Sequence, residues 1–219
     1  MKKIILIVLL FSLQTFAQYR NKDGNRIGIS GGITQMSLMA SSFSTTPSTG
    51  WIGGLAVRGN YYNNWSAVFG MQFTESNFMM QTVSPILLKT VDTRVKLEAV
   101  QIRFLLSYNV VKDHVSLDFG PVLQINGQMK VSDNDKINVL PDTPLVRVEE
   151  VLDVNKLNGN IYIGATAGNK RIRAVVFYQY GFNNFLSNLN SNEDLVLRHN
   201  NQTFSGHIGM LSGQVLFNL

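Results

Sequence analysis

Apolar and polar residues alternate with a period of two along most of the chain. Ile27, Ile29 and Ile33 alternate with glycine, serine and threonine, and the stretch from Trp65 to Phe73 repeats the pattern. Such alternation is typical of a β-strand with one apolar face. Eight such runs occur, at 27–34, 51–60, 65–74, 100–108, 115–126, 160–166, 171–181 and 211–219. The pattern therefore predicts an all-β chain of eight strands.

The connections between these runs alternate between short and long. Three are tight turns, at 63–64, 112–114 and 168–170, and the first and third contain Asn or Gly. Four are long and fall approximately at 39–50, 76–94, 130–158 and 184–203. Outer-membrane barrels have short periplasmic turns and long outer loops. The chain is therefore predicted to form an eight-stranded antiparallel up-and-down transmembrane β-barrel. A soluble exported β-sandwich is the alternative, although it gives loop lengths no reason to alternate.

The first seventeen residues have the features of a secretory signal peptide. Lys2 and Lys3 precede an apolar run at 4–13, and small residues follow up to Ala17. The predicted division is a signal peptide at 1–17 and a barrel domain at 18–219, in a protein exported to the bacterial outer membrane. Without Lys2 and Lys3 the net charge falls from +5 to +3, with 17 basic and 14 acidic residues. Such a small positive net charge argues against a nucleic-acid partner.

Composition excludes several further classes. The chain has no cysteine, which excludes disulfides, thiolate metal sites, a cysteine nucleophile and a lipidated N-terminal cysteine. No stretch after Ala17 reaches the roughly 18 consecutive apolar residues of a membrane-spanning helix. Histidines are few and have no metal-ligand spacing, so neither a metal nor a cofactor is predicted.

In a membrane-spanning barrel the apolar series faces lipid and the polar series fills the lumen. The predicted polar cluster of the lumen consists of Arg58, Gln101, Arg103, Asp118, Gln124 and Arg173. Asp118 and Glu98 are the available counter-ions for the arginines. A gated passage is one interpretation of this cluster. A polar plug that fixes strand register is favoured, because eight strands enclose a space that side chains can fill.

Aromatic residues at the ends of the runs are typical of belts at the two membrane surfaces. The predicted periplasmic belt comprises Tyr61, Tyr62, Trp65, Tyr108 and Phe217. The predicted outer belt comprises Trp51, Phe73, Phe182, Phe185 and Phe204.

Four short segments are similar to the outer-membrane β-barrel family of Bacteroidota that is called PorT-like. They are Gly28-Ile29-Ser30-Gly31-Gly32, Trp51-Ile52-Gly53-Gly54-Leu55, Asp118-Phe119-Gly120-Pro121 and Phe177-Tyr178-Gln179-Tyr180-Gly181-Phe182-Asn183-Asn184. The resemblance covers nearly all of the chain after residue 17. It implies an outer-membrane barrel, and for some members a role in type IX secretion or gliding. A shared fold does not by itself carry a function across.

Two segments contain residue types that could support chemistry. Ser205 and His207 share one face near the acidic pair Glu193 and Asp194, which raises the alternative of a lipid-modifying hydrolase. Their parity puts them on the lipid side or at the rim, so no catalytic residue is predicted. The acidic residues that begin at Asp133 lack the glycine and spacing of an EF-hand. They leave open only a weak cation site that bridges to lipopolysaccharide.

The third long connection is the predicted partner-binding loop. Its apolar residues are interpreted as an exposed segment that could bind a partner, or alternatively as extensions of the flanking strands. The candidate partner-binding residues are Leu140, Pro144, Leu145, Val146 and Val148. The predicted function is a non-enzymatic structural or accessory subunit of an envelope complex. Its expected partners are outer-membrane lipid, lipopolysaccharide and other envelope proteins. A lipid-modifying enzyme and a narrow pore are the alternatives.

Overall fold

Eight antiparallel strands form a closed barrel in the computed structural model, which describes residues 26–60 and 64–219. The strands are β1 (Arg26–Ala40), β2 (Thr45–Asn60), β3 (Trp65–Ser84), β4 (Lys89–Val111), β5 (Val115–Asn126), β6 (Leu157–Gly168), β7 (Ile172–Gly181) and β8 (Gly206–Asn218). Each strand pairs with its neighbours in sequence, and β1 closes the ring by pairing with β8. Closure leaves no strand edge unpaired in the part of the barrel that all eight strands share. The predicted fold class is confirmed.

Little of the described chain is helical. Short 3-10 helices lie at Asp133–Asp135, Val148–Val151 and Ser187–Ser191, and one short α-helix, α1, spans Glu193–Arg198. The described residues form no helix that is both long and apolar enough to cross a membrane. The predicted signal peptide lies outside the described residues, as do Tyr61, Tyr62 and Asn63.

The connections at one end of the barrel differ from the prediction. The first and second, which the sequence pattern makes long, span only residues 41–44 and 85–88. The third and fourth are long, at 127–156 and 182–205. Residues assigned to the first two loops instead extend β1 to β4 far beyond the other strands. The strands are longer than predicted because the faces of β3 and β4 change their chemical character along their length.

Part-way along β3, the inward face changes from polar to apolar and the outward face changes from apolar to mainly polar. Phe69 and Phe73 point outward and are exposed, while Gln72 points inward and is buried. Beyond Glu75 the inward residues Phe78 and Met80 are fully buried instead. The spacing of five from Phe73 to Phe78 breaks the period of two in the sequence, and this break looks like a loop. The strand itself continues with unbroken pairing to β4.

This exchange divides the barrel into two segments. The lower segment carries an apolar belt, which we define as the exposed apolar residues that point outward from all eight strands. On β3 the belt runs from Trp65 to Phe73, or about 20 Å along the barrel axis at ~3.3 Å per residue and a strand tilt of ~40°. Outer-membrane barrels have an apolar band of about 25 Å.

The upper segment, the outer extension, comprises residues 36–48, 75–98 and 206–210. It has an interior like that of a water-soluble protein. This outer core is closed by the connections 127–156 and 182–205, which we call the cap. Its buried residues are Met36, Leu38, Phe43, Phe78, Met80, Val95, Leu97, Met129, Leu140, Val146, Val148, Val151, Val154, Phe185, Leu186, Leu189, Leu195, Phe204 and Ile208.

One glycine is required by the close approach of two strands in the lower segment. Gly120 in β5 has a φ of +156°, and a Cβ there would lie 2.3 Å from the carbonyl oxygen of Phe104 in β4. Any other residue would push these strands apart. The Gly120-Pro121 step therefore keeps β5 against β4 beside the lumen.

Candidate functional site

The belt carries most of the predicted aromatic residues on its outer surface. Trp65, Tyr108 and Phe217 are exposed near the end with the short turns, and the Trp65 and Tyr108 rings meet edge to face at 5.0 Å. Trp51, Phe73 and Phe182 are exposed at the other edge of the belt. Phe185 and Phe204 do not belong to the outer belt. Both are fully buried in the outer core, because the fourth connection folds inward over the barrel.

All six residues of the predicted polar cluster lie inside the barrel. Asp118 of β5 forms the charged layer nearest the short turns, where its Oδ1 lies 3.4 Å from Nη2 of Arg58. Asp118 also accepts hydrogen bonds from the hydroxyls of Ser116 and Thr166. Arg58 Nη1 donates to Ser107 Oγ at 2.5 Å. Three strands, β2, β5 and β6, therefore meet at this carboxylate, and Arg58 links it to β4.

A layer of amides lies above the charged layer. Gln101 Nε2 donates to Gln124 Oε1 at 3.0 Å, and Gln101 Oε1 accepts from Arg103 Nη2 and Gln179 Nε2, both at 3.1 Å. Gln124 Oε1 also accepts from Asn160 Nδ2 at 3.1 Å. These bonds join β4, β5, β6 and β7 across the lumen. The side chains thus span the interior and act as a plug that ties strand to strand.

Two aromatic residues of the lumen were not predicted from the sequence. Tyr162 and Phe177 stack with ring centroids 4.7 Å apart, and the guanidinium of Arg103 lies 4.3 Å from the Phe177 centroid. Cation–π contact of this kind stabilises a charge that has been removed from water. Both rings occupy inward positions of their strands. The strand parity could have located them, but apolar residues on both faces hid the alternation.

Arg103 and Arg173 differ from Arg58 in their electrostatic environment. Neither lies within ion-pair distance of a described carboxylate, and each has a buried Nε that meets no hydrogen-bond partner among the described residues. Arg173 Nη2 donates to Ser116 Oγ at a long 3.5 Å. Of the three lumen arginines, Arg58 is therefore the one that forms an ion pair with Asp118. Glu98, the other predicted counter-ion, points outward from β4 and pairs with Lys130 at 2.7 Å, because its parity matches the belt residues.

An ion pair crosses the barrel mouth at the end with the short turns. Arg26 Nη2 at the start of β1 lies 2.6 Å from Asp113 Oδ1 in the turn between β4 and β5. Lys170, in the turn between β6 and β7, lies 3.7 Å from Asp113 Oδ2. The hydrogen bond from Arg26 lowers the pKa of Asp113 below its ordinary value. These contacts connect elements from opposite sides of the mouth.

The predicted partner-binding loop is not an exposed apolar segment. Leu140, Val146 and Val148 are fully buried in the outer core, so the prediction that they are exposed is wrong. The loop folds back on itself because Leu140 N–H donates to the Val146 carbonyl, which turns these side chains toward the barrel. It does not extend β5 and β6 either. Only Pro144 and Leu145 of the five candidates remain exposed on the cap.

A crystal structure of Neisserial surface protein A (NspA) is similar to this chain, with a TM-score of 0.50 and 10% sequence identity. The alignment covers 89% of this chain and 99% of that chain. The chain has the fold of an eight-stranded outer-membrane β-barrel. At this identity the likeness concerns the fold alone.

Two further solved structures have lower scores. Ail of Yersinia pestis has a TM-score of 0.49 and 12% identity, over 89% of this chain and 99% of that chain. OprG from Pseudomonas aeruginosa has a TM-score of 0.45 and 8% identity, over 89% of this chain and 96% of that chain. No protein-family model matches the chain, and no curated protein matches it.

The residues of the candidate hydrolase lie partly on the cap and partly at the start of β8. His207 stacks on Tyr180 with ring centroids 5.9 Å apart, and its Nδ1 lies 3.1 Å from the Gly181 carbonyl oxygen. The Ser205 carbonyl accepts from Ser41 N–H. Asp194 instead bonds Arg198. Within 26–60 and 64–219, no three His, Cys, Asp or Glu side chains are grouped so as to hold a metal.

An ion pair joins the two connections that form the cap of the barrel. Arg198 donates through Nη2 to Glu150 Oε1 at 2.6 Å and through Nη1 to Glu150 Oε2 at 3.0 Å. The Arg147 N–H also donates to Glu150, at 2.9 Å. Hydrogen bonding from Arg198 lowers the pKa of Glu150 below its ordinary value. The bidentate geometry fixes both connections in one orientation.

Replacing Glu150 with glutamine is expected to make the cap more accessible to added protease, because one acceptor and the charge are lost. A lowered folded pKa means that the ionised form stabilises the cap above the ordinary pKa of Glu, and that this contribution is lost as the pH falls through the folded pKa. Rates of cap cleavage for the two proteins should therefore converge in acid. Equal rates at neutral pH would contradict this role for Glu150.

Proposed function

We propose that this protein is a non-enzymatic β-barrel of the bacterial outer membrane that acts as a structural or accessory subunit of an envelope complex. In this proposal the apolar belt contacts lipid, the plugged lumen conducts nothing, and the cap binds another envelope protein. Lipid and lipopolysaccharide are the expected partners of the wall. The barrel is thus a rigid anchor, and its outer extension carries the binding surface.

The observation that carries the proposal is the exchange of faces along β3 and β4. A strand needs apolar residues outside only where lipid surrounds it, and apolar residues inside only where water surrounds it. The outer core is built from about 30 Å of strand beyond Glu75, and it adds nothing to anchoring in a bilayer. Its function is better explained as the support of the cap above the membrane surface.

The resemblance to the PorT-like family extends the proposal to a more specific process. It supports type IX secretion or gliding machinery of Bacteroidota as the complex in which this subunit works. The motifs that carry it describe strands and turns, so the process is a hypothesis that follows from shared sequence features. Partner capture would test it independently of those features.

The exposed turn at Pro144 and Leu145 is the position from which to test this function. A photo-crosslinking amino acid at Leu145, used in intact cells, is expected to give a discrete adduct with one envelope protein. The same amino acid at Phe69, which is exposed on the belt, serves as the control and should give lipid adducts only. Identification of the adduct by mass spectrometry would name the complex. Absence of any protein adduct at Leu145, with normal barrel levels, would contradict the accessory role.

A further inference from the structure

At the outer edge of the belt, the outer surface of the barrel wall changes from apolar to polar between one outward residue and the next. Phe73, Val100 and Ile125 are neighbours in register on β3, β4 and β5, and all three point outward. The next outward pair on β3 and β4 is Glu75 and Glu98, which lie directly opposite each other. This step marks the level at which acyl chains would give way to headgroups.

A groove of about 400 Å³ lies in the wall at this edge. Its apolar lining comes from the belt, and Glu75 and Glu98 line its polar side. Trp51, which lines the groove, lies opposite Glu75 in the register of β2 and β3. Tryptophan at such a boundary is typical of a membrane surface, because its ring is apolar and its N–H is polar. The groove therefore suits a ligand with an apolar end and a polar end.

A second groove of about 330 Å³ lies higher on the same wall and shares Glu75 with the first. Three basic residues of its lining are Arg94, Lys96 and Lys130. Lys96 and Lys130 are bridge partners, and Arg94 is two residues from Lys96 on the same face of β4. Asp135 also lines this groove. Moving outward, the wall therefore presents an apolar row, then carboxylates, then a row in which cations outnumber carboxylates.

The cations are held by ion pairs that a ligand can replace at small cost. Lys96 Nζ lies 2.7 Å from Glu75 and 3.3 Å from Glu98, and Lys130 Nζ lies 2.7 Å from Glu98. Both lysine side chains are more than one-third exposed, and exposed pairs of this kind contribute little to stability. Arg94 forms no ion pair with any described residue.

We propose that the two grooves together bind one molecule of a phosphorylated glycolipid from the outer leaflet. An acyl chain would lie along Trp51 and Phe73 in the lower groove. The carboxylates of Glu75 and Glu98 would accept hydrogen bonds from hydroxyl and amide groups of the sugar. The phosphate would then reach Arg94, Lys96 and Lys130, as the order of the rows requires. This inference rests on the proposed function, because it needs the belt to lie in the outer membrane.

The order of the rows distinguishes this ligand from simpler lipids. A phospholipid places its phosphate directly above the acyl chains, at the level of Glu75 and Glu98, where like charges repel. A sugar between acyl chain and phosphate moves the anion up to the basic residues. The site should therefore prefer a phosphorylated glycolipid to phosphatidylglycerol.

Native mass spectrometry of the purified barrel in detergent micelles would test this site. The probes are lipid A, its dephosphorylated form and phosphatidylglycerol. The test variant is Arg94→Gln with Lys130→Gln, and the control variant is Lys89→Gln with Lys156→Gln, which removes the same charge from exposed sites outside both grooves. Lipid A should bind the wild type and the control equally. Binding to the test variant should fall by about tenfold or more, because two charge-assisted contacts are lost.

Several outcomes would overturn the assignment. Equal binding of lipid A to both variants would remove the basic residues from the site. Equal binding of dephosphorylated lipid A or of phosphatidylglycerol would reduce it to a general acyl-chain groove. Displacement of lipid A by millimolar inorganic phosphate alone would identify a free-anion site. Cell fractionation of both variants separates these failures from failure of the proposed function, which predicts outer-membrane location and heat-modifiable gel mobility whatever lipid binds.

Discussion

Replacing Asp118 with asparagine is expected to lower the free energy of unfolding of the barrel by about 3–5 kcal/mol. Asp118 is buried and is the carboxylate that Arg58 contacts at 3.4 Å, with Arg173 close by in the same layer. Its loss leaves these arginines in the lumen without a counter-charge. A buried charge without a partner is strongly unfavourable. Urea unfolding of the protein refolded into lipid vesicles would measure the change.

The control for this variant is Asp133→Asn on the cap. Asp133 also forms an ion pair, with Lys136 at 2.6 Å, but its side chain is 91% exposed. Loss of an exposed pair should change the free energy of unfolding much less than loss of Asp118 does. If Asp118→Asn has no larger effect than this control, the charged layer does not stabilise the plug. Removing one arginine as well, in the double variant Asp118→Asn with Arg173→Met, should recover part of the lost free energy of unfolding.

Truncating Phe204 to alanine is expected to loosen the cap without unfolding the belt segment. Phe204 is fully buried in the outer core, where its ring stacks on His199 with centroids 4.2 Å apart. Removal of a buried phenylalanine side chain costs about 3–5 kcal/mol. Because Asn184 and Asn190 bond the Phe204 backbone, the whole fourth connection should become mobile. Limited proteolysis of intact cells should then cut residues 182–205 at least about tenfold faster.

Leu197→Ala provides the matched control on α1. Leu197 is 63% exposed, so its truncation leaves no cavity and should not change cleavage. Heat-modifiable gel mobility of both variants reports on the barrel separately from the cap. Loss of that mobility in Phe204→Ala would contradict the division into two segments, because it would mean that the outer core and the belt segment unfold together.

The sequence determined the lower segment well because lipid imposes a simple rule on it. Every outward residue between Trp65 and Phe73 faces one apolar solvent, so the period of two is strict and strand number follows from it. The same parity places Arg58 and Asp118 inside the barrel. It also places Glu98 outside, although its charge alone suggested a role as a counter-ion in the lumen.

The outer extension could not be predicted in this way, because its environment changes along single strands. Phe78 and Met80 face inward at positions where Gln72 faces inward lower on the same strand. The alternation of apolar and polar residues along the sequence does not show where lipid ends and water begins. The stretches between runs therefore appeared as loops, and Leu140 and Val148 appeared exposed.

Alternation of side chains by itself determined that this protein is an eight-stranded barrel with polar residues in its lumen, since strand geometry links parity to face. Only the tertiary structure decided which polar residues meet. It brings Arg94 and Lys130 together on one wall, and it closes the cap over the outer core with Phe204. Contacts between distant segments depend on register, strand length and loop folding, and none of these is encoded in the local period.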